Sequence, residues 1–446
     1  MKSLIKKIVP KTAIAKYHKA LTTLAAMRYG FPSRKMIVIG VTGTNGKSTT
    51  THLISHILEG AGHKTGYTTT VDFKVGDKTW LNDYKMTMLG RTALQKMLHD
   101  MVTAKCRYAI IETSSEGLVQ NRNAGIDYDV AVFTNLTPEH IESHGSFENY
   151  KKAKGLLFDS LKRSAKKSFS WMKNVPKIII ANTDDEAAGF YLSSWAEQKF
   201  GFGTKTSDIK LNRMVKLEDI KLNGEGATFS VDKTHYRIQL LGLHNVYNSL
   251  TAITIGLSQG IAHEQMAKTL SAVKGVPGRM EYIDEGQPFK VLIDYAPEPA
   301  SLEACYKTIN DLIRPTIKRV IHIVGSAGGG RDTSRRPVLG RMAGENADIV
   351  IVTNEDPYDE DPLKIIDQVA VGVIDAGKEE NKNVFKVLDR REAVIKAFSM
   401  ARPGDLVLLT GKGAEQAICV ANGGKIAWDE RKVAREVLKS LFSPQE

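Results

Sequence analysis

A short apolar run, Met36 to Val41, ends in a glycine-rich turn, Thr42 to Gly46, and the turn opens directly into a helical pattern, Lys47 to Glu59. This order constrains the fold more than any other feature of the chain. A buried strand that stops at such a turn and restarts as a helix begins an α/β domain, and it aims backbone N–H groups and a helix N-terminus at one point. That point attracts anions. The turn Gly43-Thr44-Asn45-Gly46 permits close backbone approach, Lys47 brings charge to neutralise phosphate, and Ser48 and Thr49 bring hydroxyls, Ser48 being placed to hold Mg²⁺. Val41 stands where the general phosphate-loop spacing calls for glycine. The strand, turn and helix context therefore carries the reading, more than the spacing does.

Further buried strands are expected at Tyr108 to Ile111, Val130 to Phe133 and Lys177 to Ala181, with helical patterns at Thr92 to Met101 and Asn149 to Leu161. Apolar runs of this length alternating with helices predict a parallel, doubly wound sheet. Between Ile209 and Leu241 the pattern alternates around Gly224 and Gly226, which predicts a small β excursion, and a helix follows Asn245. Gly275-Val-Pro-Gly-Arg279 punctuates the chain as a domain link does. Beyond it, strands expected at Lys290 to Tyr295, Arg319 to Val324, Asp348 to Thr353 and Asp405 to Thr410 form a second unit. The expected fold class is α/β: a phosphate-loop central ATPase domain with a parallel sheet over 36–274, then a Rossmann-like C-terminal domain over 275–446.

The net charge of +12 is unevenly placed, because residues 1–35 hold Lys2, Lys6, Lys7, Lys11, Lys16, Lys19, Arg28, Arg34 and Lys35 and no Asp or Glu. Within this basic arm Ile14, Tyr17, Leu21 and Leu24 recur at helical spacing and predict an amphipathic helix. One reading docks that helix on the next domain. The other attaches it loosely to an anionic membrane surface. The remaining chain is nearly balanced in charge and interleaves no basic and aromatic residues, which speaks against nucleic acid as a partner. Three scattered cysteines, Cys106, Cys305 and Cys419, lack metal or redox spacing and fit a reducing cytoplasm. The chain is expected to be a monomer without a membrane span.

Later motifs follow in a fixed order: Glu112-Thr-Ser-Ser115 with Arg122, Val132-Phe-Thr-Asn-Leu-Thr-Pro-Glu-His140, Glu148-Asn-Tyr-Lys-Lys-Ala-Lys154, and Gly242-Leu-His-Asn245 with Asn248. Pro277-Gly-Arg279-Met-Glu281, Asp294-Tyr-Ala296, Gly329-Gly-Arg331-Asp332 and Gly411-Lys-Gly413 with Glu415 complete the series. With the Gly-Thr-Asn-Gly-Lys-Ser-Thr loop, this order resembles the Mur ligase family, in the branch that makes UDP-N-acetylmuramoyl tripeptide. The resemblance covers roughly Arg34 to the C-terminus.

It implies an ATP-dependent, ADP-forming ligase of peptidoglycan synthesis that activates a muramoyl-peptide carboxylate as an acyl phosphate and joins it to an amino acid. By that resemblance Lys47, Glu112, His140 and Lys154 are catalytic, and Ser48, Glu112, His140 and a carbamylated Lys154 hold Mg²⁺. Asn245 and Asn248 lie near the nucleotide base, while Arg279 and Asp294 meet its phosphates and ribose. Ser114 and Arg122 meet the acceptor, and Arg331, Glu355, Asp356, Tyr358, Gly411 and Glu415 meet the amino acid. Two departures matter. Only about 35 residues precede the loop domain, where typical members carry a domain that grips UDP. Glu355-Asp356-Pro357-Tyr358 stands where diaminopimelate-adding members have Asp-Asn-Pro-Arg, and tyrosine lacks the bidentate grip of arginine on a carboxylate. Other readings are a folylpolyglutamate-like ligase with an acceptor free of UDP, including a lipid-linked one, and a non-catalytic scaffold of the same fold.

Overall fold

The computed structural model describes residues 11–84, 86–138, 144–205 and 209–442. The chain divides into two compact units that exchange near Val273 and Lys274, the second also taking short pieces at 222–226 and 240–243.

The first unit is built on an eleven-stranded sheet. In chain order its strands are β1 (Ile37–Thr42), β2 (Thr65–Thr68), β3 (Asp72–Val75), β4 (Lys78–Leu81), β5 (Tyr108–Glu112), β6 (Val130–Phe133), β7 (Ile178–Asn182), β8 (Gln198–Gly203), β9 (Arg213–Asn223), β10 (Gly226–Val231) and β11 (Thr234–Ile238). Their order across the sheet is β11-β10-β9-β8-β7-β6-β1-β5-β2-β3-β4. β1 pairs in parallel with β5 on one side and β6 on the other, with Val41 opposite Glu112 and Thr42 opposite Phe133. Every residue of β1, β5, β6 and β7 is buried, as strands covered on both faces must be. The chain leaves β1 in one direction and later crosses to its other side at β6. The C-terminal ends of β5, β1 and β6 thus flank a crevice of the kind that binds ligands in open α/β sheets.

The sheet is not parallel throughout. β2–β3, β3–β4 and β10–β11 are antiparallel, and the excursion expected between 209 and 241 is not a separate piece, because β9 pairs in parallel with β8 and extends the same sheet. One core of this unit gathers Leu98, Phe133, Leu157, Phe158, Tyr191 and Leu192.

The second unit carries β12 (Glu281–Ile283), β13 (Lys290–Ile293), β14 (Val320–Val324), β15 (Ile349–Thr353), β16 (Val384–Val387) and β17 (Leu406–Leu409) in the order β12-β13-β17-β14-β15-β16. All pairings among β13 to β17 are parallel and only the edge strand β12 is antiparallel. Its two faces pack separate apolar cores, one through Leu292, Val350 and Leu408 and the other through Ile293, Ile351 and Leu409.

The N-terminal arm forms a helix, Lys11–Arg28, and two residues of its expected apolar stripe point away from the docked face while Leu21 is half-buried. Tyr17 and Leu24 are exposed at 61% and 59%, while Thr22, Ala25 and Ala26 are buried. The Thr22 hydroxyl donates to the Asn121 carbonyl at 3.3 Å. A Cβ on Gly125 would fall 2.7 Å from Ala26 Cβ, so backbone and helix approach closely only because both residues are small. Among the described residues no helix is long and apolar enough to cross a membrane.

Candidate functional site

The loop after β1 is held by the segment after β6. Thr44 N–H donates to the Asn135 carbonyl at 2.8 Å, Asn45 N–H donates to Asn135 Oδ1 at 2.8 Å, and Thr134 Oγ1 donates to the Asn45 carbonyl at 2.9 Å. Gly43 and Gly46 are glycines for steric cause. A Cβ on Gly43 would meet Thr134 Oγ1 at 1.9 Å, and one on Gly46, at φ +80°, would meet Asn248 Oδ1 at 2.2 Å. The loop thus arrives at the helix Lys47–Gly60 with Gly46 as its left-handed N-cap and no side chain capping the helix start, which leaves the first helical N–H groups to meet an anion.

Ser48 Oγ donates to Glu112 Oε2 at 2.8 Å. The same carboxylate accepts from Thr70 N–H at 2.7 Å, while the Thr70 hydroxyl meets Oε1 at 2.9 Å. Glu112 is 2% exposed and sits at the last position of β5, one strand from the loop. Lys47 Nζ folds back on the carbonyls of Thr44 and Gly43, at 2.6 and 3.1 Å. Lys154, 1% exposed on the helix Phe147–Leu161, donates from Nζ to the Gly43 carbonyl at 2.8 Å and lies 4.2 Å from the Tyr150 ring centroid. The Tyr150 hydroxyl is 3.2 Å from Thr44 Oγ1.

Behind Thr70 stands a buried polar hub. Asp72 accepts from Tyr67 at 2.9 Å and from the Thr69 hydroxyl at 2.9 Å, and pairs with His52 Nε2 of the loop helix at 2.8 Å. Burial pushes the Asp72 carboxyl up, but the charge and hydrogen bond of His52 and the two hydroxyls outweigh it and hold the group below the usual range. The turn that carries Thr70 is thereby tied to the helix that carries Ser48.

Of the residues singled out from sequence, Gly43 to Thr49, Glu112 and Lys154 come together at this one crevice. Asn248 does too, from the helix Leu243–Ser258: Thr50 Oγ1 donates to it at 3.2 Å and its own amide donates to Asn245 at 2.9 Å. Ser114 caps the short helix Ser115–Val119 by accepting from Gly117 N–H. Arg122 grips Gln120 and the Met88 carbonyl. His140 lies outside the described residues.

In the second unit the named residues collect where β13, β17 and β15 end. Asp294, just past β13, accepts from the backbone N–H groups of Met280 and Ala296, and burial pushes its carboxyl up against the pull of Arg279. Arg279 lies 4.5 Å from the ring centroid of Tyr295, whose carbonyl accepts from Gly411 N–H. Glu355 and Asp356 are both buried. A Cβ on Gly411, at φ +97°, would meet Glu355 Oε2 at 2.5 Å. Burial and the neighbouring Asp356 raise the Glu355 carboxyl. Lys412 donates to Asp356 at 3.0 Å, to Glu415 at 2.8 Å and to the Ala417 carbonyl. Below them Arg390 ties the carbonyls of Asn354 and Thr410, each one residue before a named position, to the fully buried Glu430.

Tyr358 is not a loose aromatic. Its backbone is left-handed at φ +52°, its ring lies where a Cβ on Gly329 would be 2.7 Å away, and burial pushes its hydroxyl up to about 12. The charge of Arg331 acts on it in the opposite direction. Sequence reasoning assigned no role to Thr70, Thr134, Asn135, Lys412 or Arg390. Thr134, Asn135 and Lys412 fall inside motifs that carried the resemblance, whereas nothing near Thr70 or Arg390 marks them.

A phosphate loop whose lysine and serine stand beside a buried carboxylate, at the C-terminal ends of adjacent parallel strands, defines a nucleoside-triphosphate-dependent phosphoryl-transfer enzyme. Residues 41–256 match the Mur ligase middle domain and residues 278–413 the Mur ligase glutamate ligase domain. The chain is 39% identical over 439 residues to the UDP-N-acetylmuramyl-tripeptide synthetase of Roseiflexus sp., with 97% of this chain and 84% of that protein covered. It is 37% identical over 435 residues to a UDP-N-acetylmuramoyl-L-alanyl-D-glutamate--2,6-diaminopimelate ligase of Geobacillus kaustophilus, with the same shares, 97% and 84%, covered. A solved structure of a ligase of the latter name shares 27% identity and a TM-score of 0.57, over 91% of this chain and 78% of that one. The chain belongs to the Mur ligase family, whose members are ATP-dependent, ADP-forming amino-acid ligases.

Proposed function

We propose that this ligase extends a muramoyl peptide by one amino acid and that Ser48, Glu112, Lys154 and His140 hold the Mg²⁺ that accompanies ATP. The observation that carries the proposal is the 2.8 Å approach of Ser48 Oγ to Glu112 Oε2 beside Lys47. A hydroxyl and a carboxylate are hard oxygen donors suited to Mg²⁺. When bound, the ion would neutralise charge on the phosphate oxygens. Lys154 fits a carbamate as well as an ammonium, because either form keeps an N–H for the Gly43 carbonyl, and the carbamate adds oxygen donors.

In this reading the loop N–H groups and Lys47 bind the terminal phosphates of ATP. The acceptor carboxylate oxygen takes the γ-phosphoryl group and ADP leaves. The incoming amine then attacks the acyl carbon, its proton departs, and inorganic phosphate is released. Arg331 and Glu415 offer opposite charges to the two ends of an amino acid, while Glu355, Asp356 and Gly411 form the floor. Arg279 and Asp294 serve the nucleotide, as do Asn245 and Asn248. With Tyr358 in place of a fork of donors, lysine, ornithine or another amino acid fits better than diaminopimelate.

The test supplies ATP, Mg²⁺ and bicarbonate with UDP-muramoyl dipeptide, its UDP-free form or a lipid-linked form, and a panel of amino acids, and reads product mass. One new mass fixes acceptor and amino acid together. Failure of every muramoyl acceptor, with nucleotide binding intact, would overturn the cell-wall assignment. Carbon-13 bicarbonate should give a carbamate resonance that Lys154→Ala removes along with turnover while nucleotide binding is kept.

A further inference from the structure

The N-terminal helix has two apolar faces, and among the described residues one is packed and the other is exposed. Thr22, Ala25 and Ala26 are buried against the Asn121–Gly125 segment. On the opposite side Tyr17, Leu24 and Met27 are exposed at 61%, 59% and 55%, and Ala20 lies exposed between them. Positions 17, 20, 24 and 27 fall within one helical stripe. Three large apolar side chains on one stripe of an otherwise docked helix form a patch rather than scattered exposure.

Charge identifies the occupant. Residues 1–35 hold nine Lys or Arg and no Asp or Glu, most of the chain's net +12. Lys19 and Arg28, on the same helix, are exposed. Arg34, near the end of the arm, is paired with Asp127. A protein partner with an apolar groove would not need so one-sided a charge. An anionic lipid surface accepts both features at once, taking apolar side chains into the headgroup boundary and collecting lysines and arginines from outside it.

We propose that the face Tyr17, Ala20, Leu24 and Met27 seats this protein on an anionic bilayer surface, with the basic arm supplying the attraction. The docked face holds the helix to the first unit, so attachment brings the unit with it. This inference stands apart from the choice of acceptor and amino acid.

The full chain is sedimented with vesicles of phosphatidylcholine alone and of phosphatidylcholine mixed with phosphatidylglycerol, at low and high salt. Binding is expected on the mixed vesicles at low salt, and about tenfold or more weaker on neutral vesicles or at high salt. Leu24→Ser with Met27→Ser should lower the partition by about tenfold or more. Lys19→Glu should lower it and leave thermal stability unchanged, as should the double substitution, since all three side chains are exposed. No binding to the mixed vesicles overturns the proposal. So does binding that the double substitution leaves unchanged, or a sedimentation-velocity dimer that the double substitution dissociates, which would assign the face to a second copy.

Discussion

Glu112 accepts hydrogen bonds from Ser48, Thr70 N–H and the Thr70 hydroxyl, and its position matters as much as its charge. Asp72 acts on it at one remove, by fixing the turn from which Thr70 reaches. Glu112→Gln keeps the shape and the acceptor oxygen but removes the charge that a cation needs. Turnover should fall on the order of a hundredfold or more, with nucleotide affinity in the absence of Mg²⁺ unchanged. Asp72→Asn should act differently, because His52, Tyr67 and Thr69 then face a neutral partner. It should lower stability by about 1–3 kcal/mol and raise the Mg²⁺ concentration needed for half-maximal turnover. An unaltered Mg²⁺ requirement in both variants would remove Glu112 from the cation site.

At the scale of the element, the loop depends on two glycines for different contacts. Gly46→Ala would force a Cβ into Asn248 Oδ1 at a backbone conformation that costs L residues about 1–2 kcal/mol. Nucleotide binding should be lost in calorimetric titration while the far-ultraviolet circular dichroism is kept, and retained affinity would mean that the loop has room to shift. The elements around this loop differed in how plainly the sequence declared them. Val130 to Phe133 coincides with β6, and the apolar runs that became β1, β5, β7, β14 and β15 were evident because strands buried on both faces read as unbroken hydrophobic stretches. Strands on the far side of β5 had no such mark. β4 is exposed or half-buried throughout, and β2, Thr65–Thr68, has only Tyr67 as a large apolar residue. Thr70 was hidden for the same reason: its partner Glu112 is 42 residues away, and no local period encodes that pairing. The arm differs again: of its expected apolar period Tyr17 and Leu24 are exposed and Leu21 is half-buried, while the small residues Thr22, Ala25 and Ala26, which periodicity undervalues, are buried.

For the whole molecule, the two units carry separate cores and need not unfold together. The chain's four tryptophans separate them, because Trp80, Trp171 and Trp195 fall in the first unit and Trp428 in the second. In a Trp428→Phe variant, tryptophan fluorescence reports the loop unit alone. A non-hydrolysable ATP analogue at about a hundred times its dissociation constant should raise that transition by several degrees, since such saturation adds about 2.7 kcal/mol. Acid should act on the other unit through one buried ring in particular. His322 on β14 is buried, with Nδ1 2.6 Å from the Tyr306 hydroxyl and Nε2 2.8 Å from Thr410 Oγ1. Burial, then the charge of Arg390, pushes its imidazole down to about 3. An unfolded chain protonates near the ordinary value of about 6.5, so between these limits the unfolded state binds the extra proton and stability rises with pH. The contribution is fully present above about pH 6.5 and declines by about 1.4 kcal/mol for each unit of acidification towards 3. Measured by circular dichroism, the second unit's transition should therefore move down as the pH falls from 6.5 to 4. His322→Gln should flatten that dependence while the tryptophan transition of the first unit keeps its own. An acid limb that His322→Gln leaves as steep as before would mean that other buried groups, and not this ring, set the second unit's response to pH.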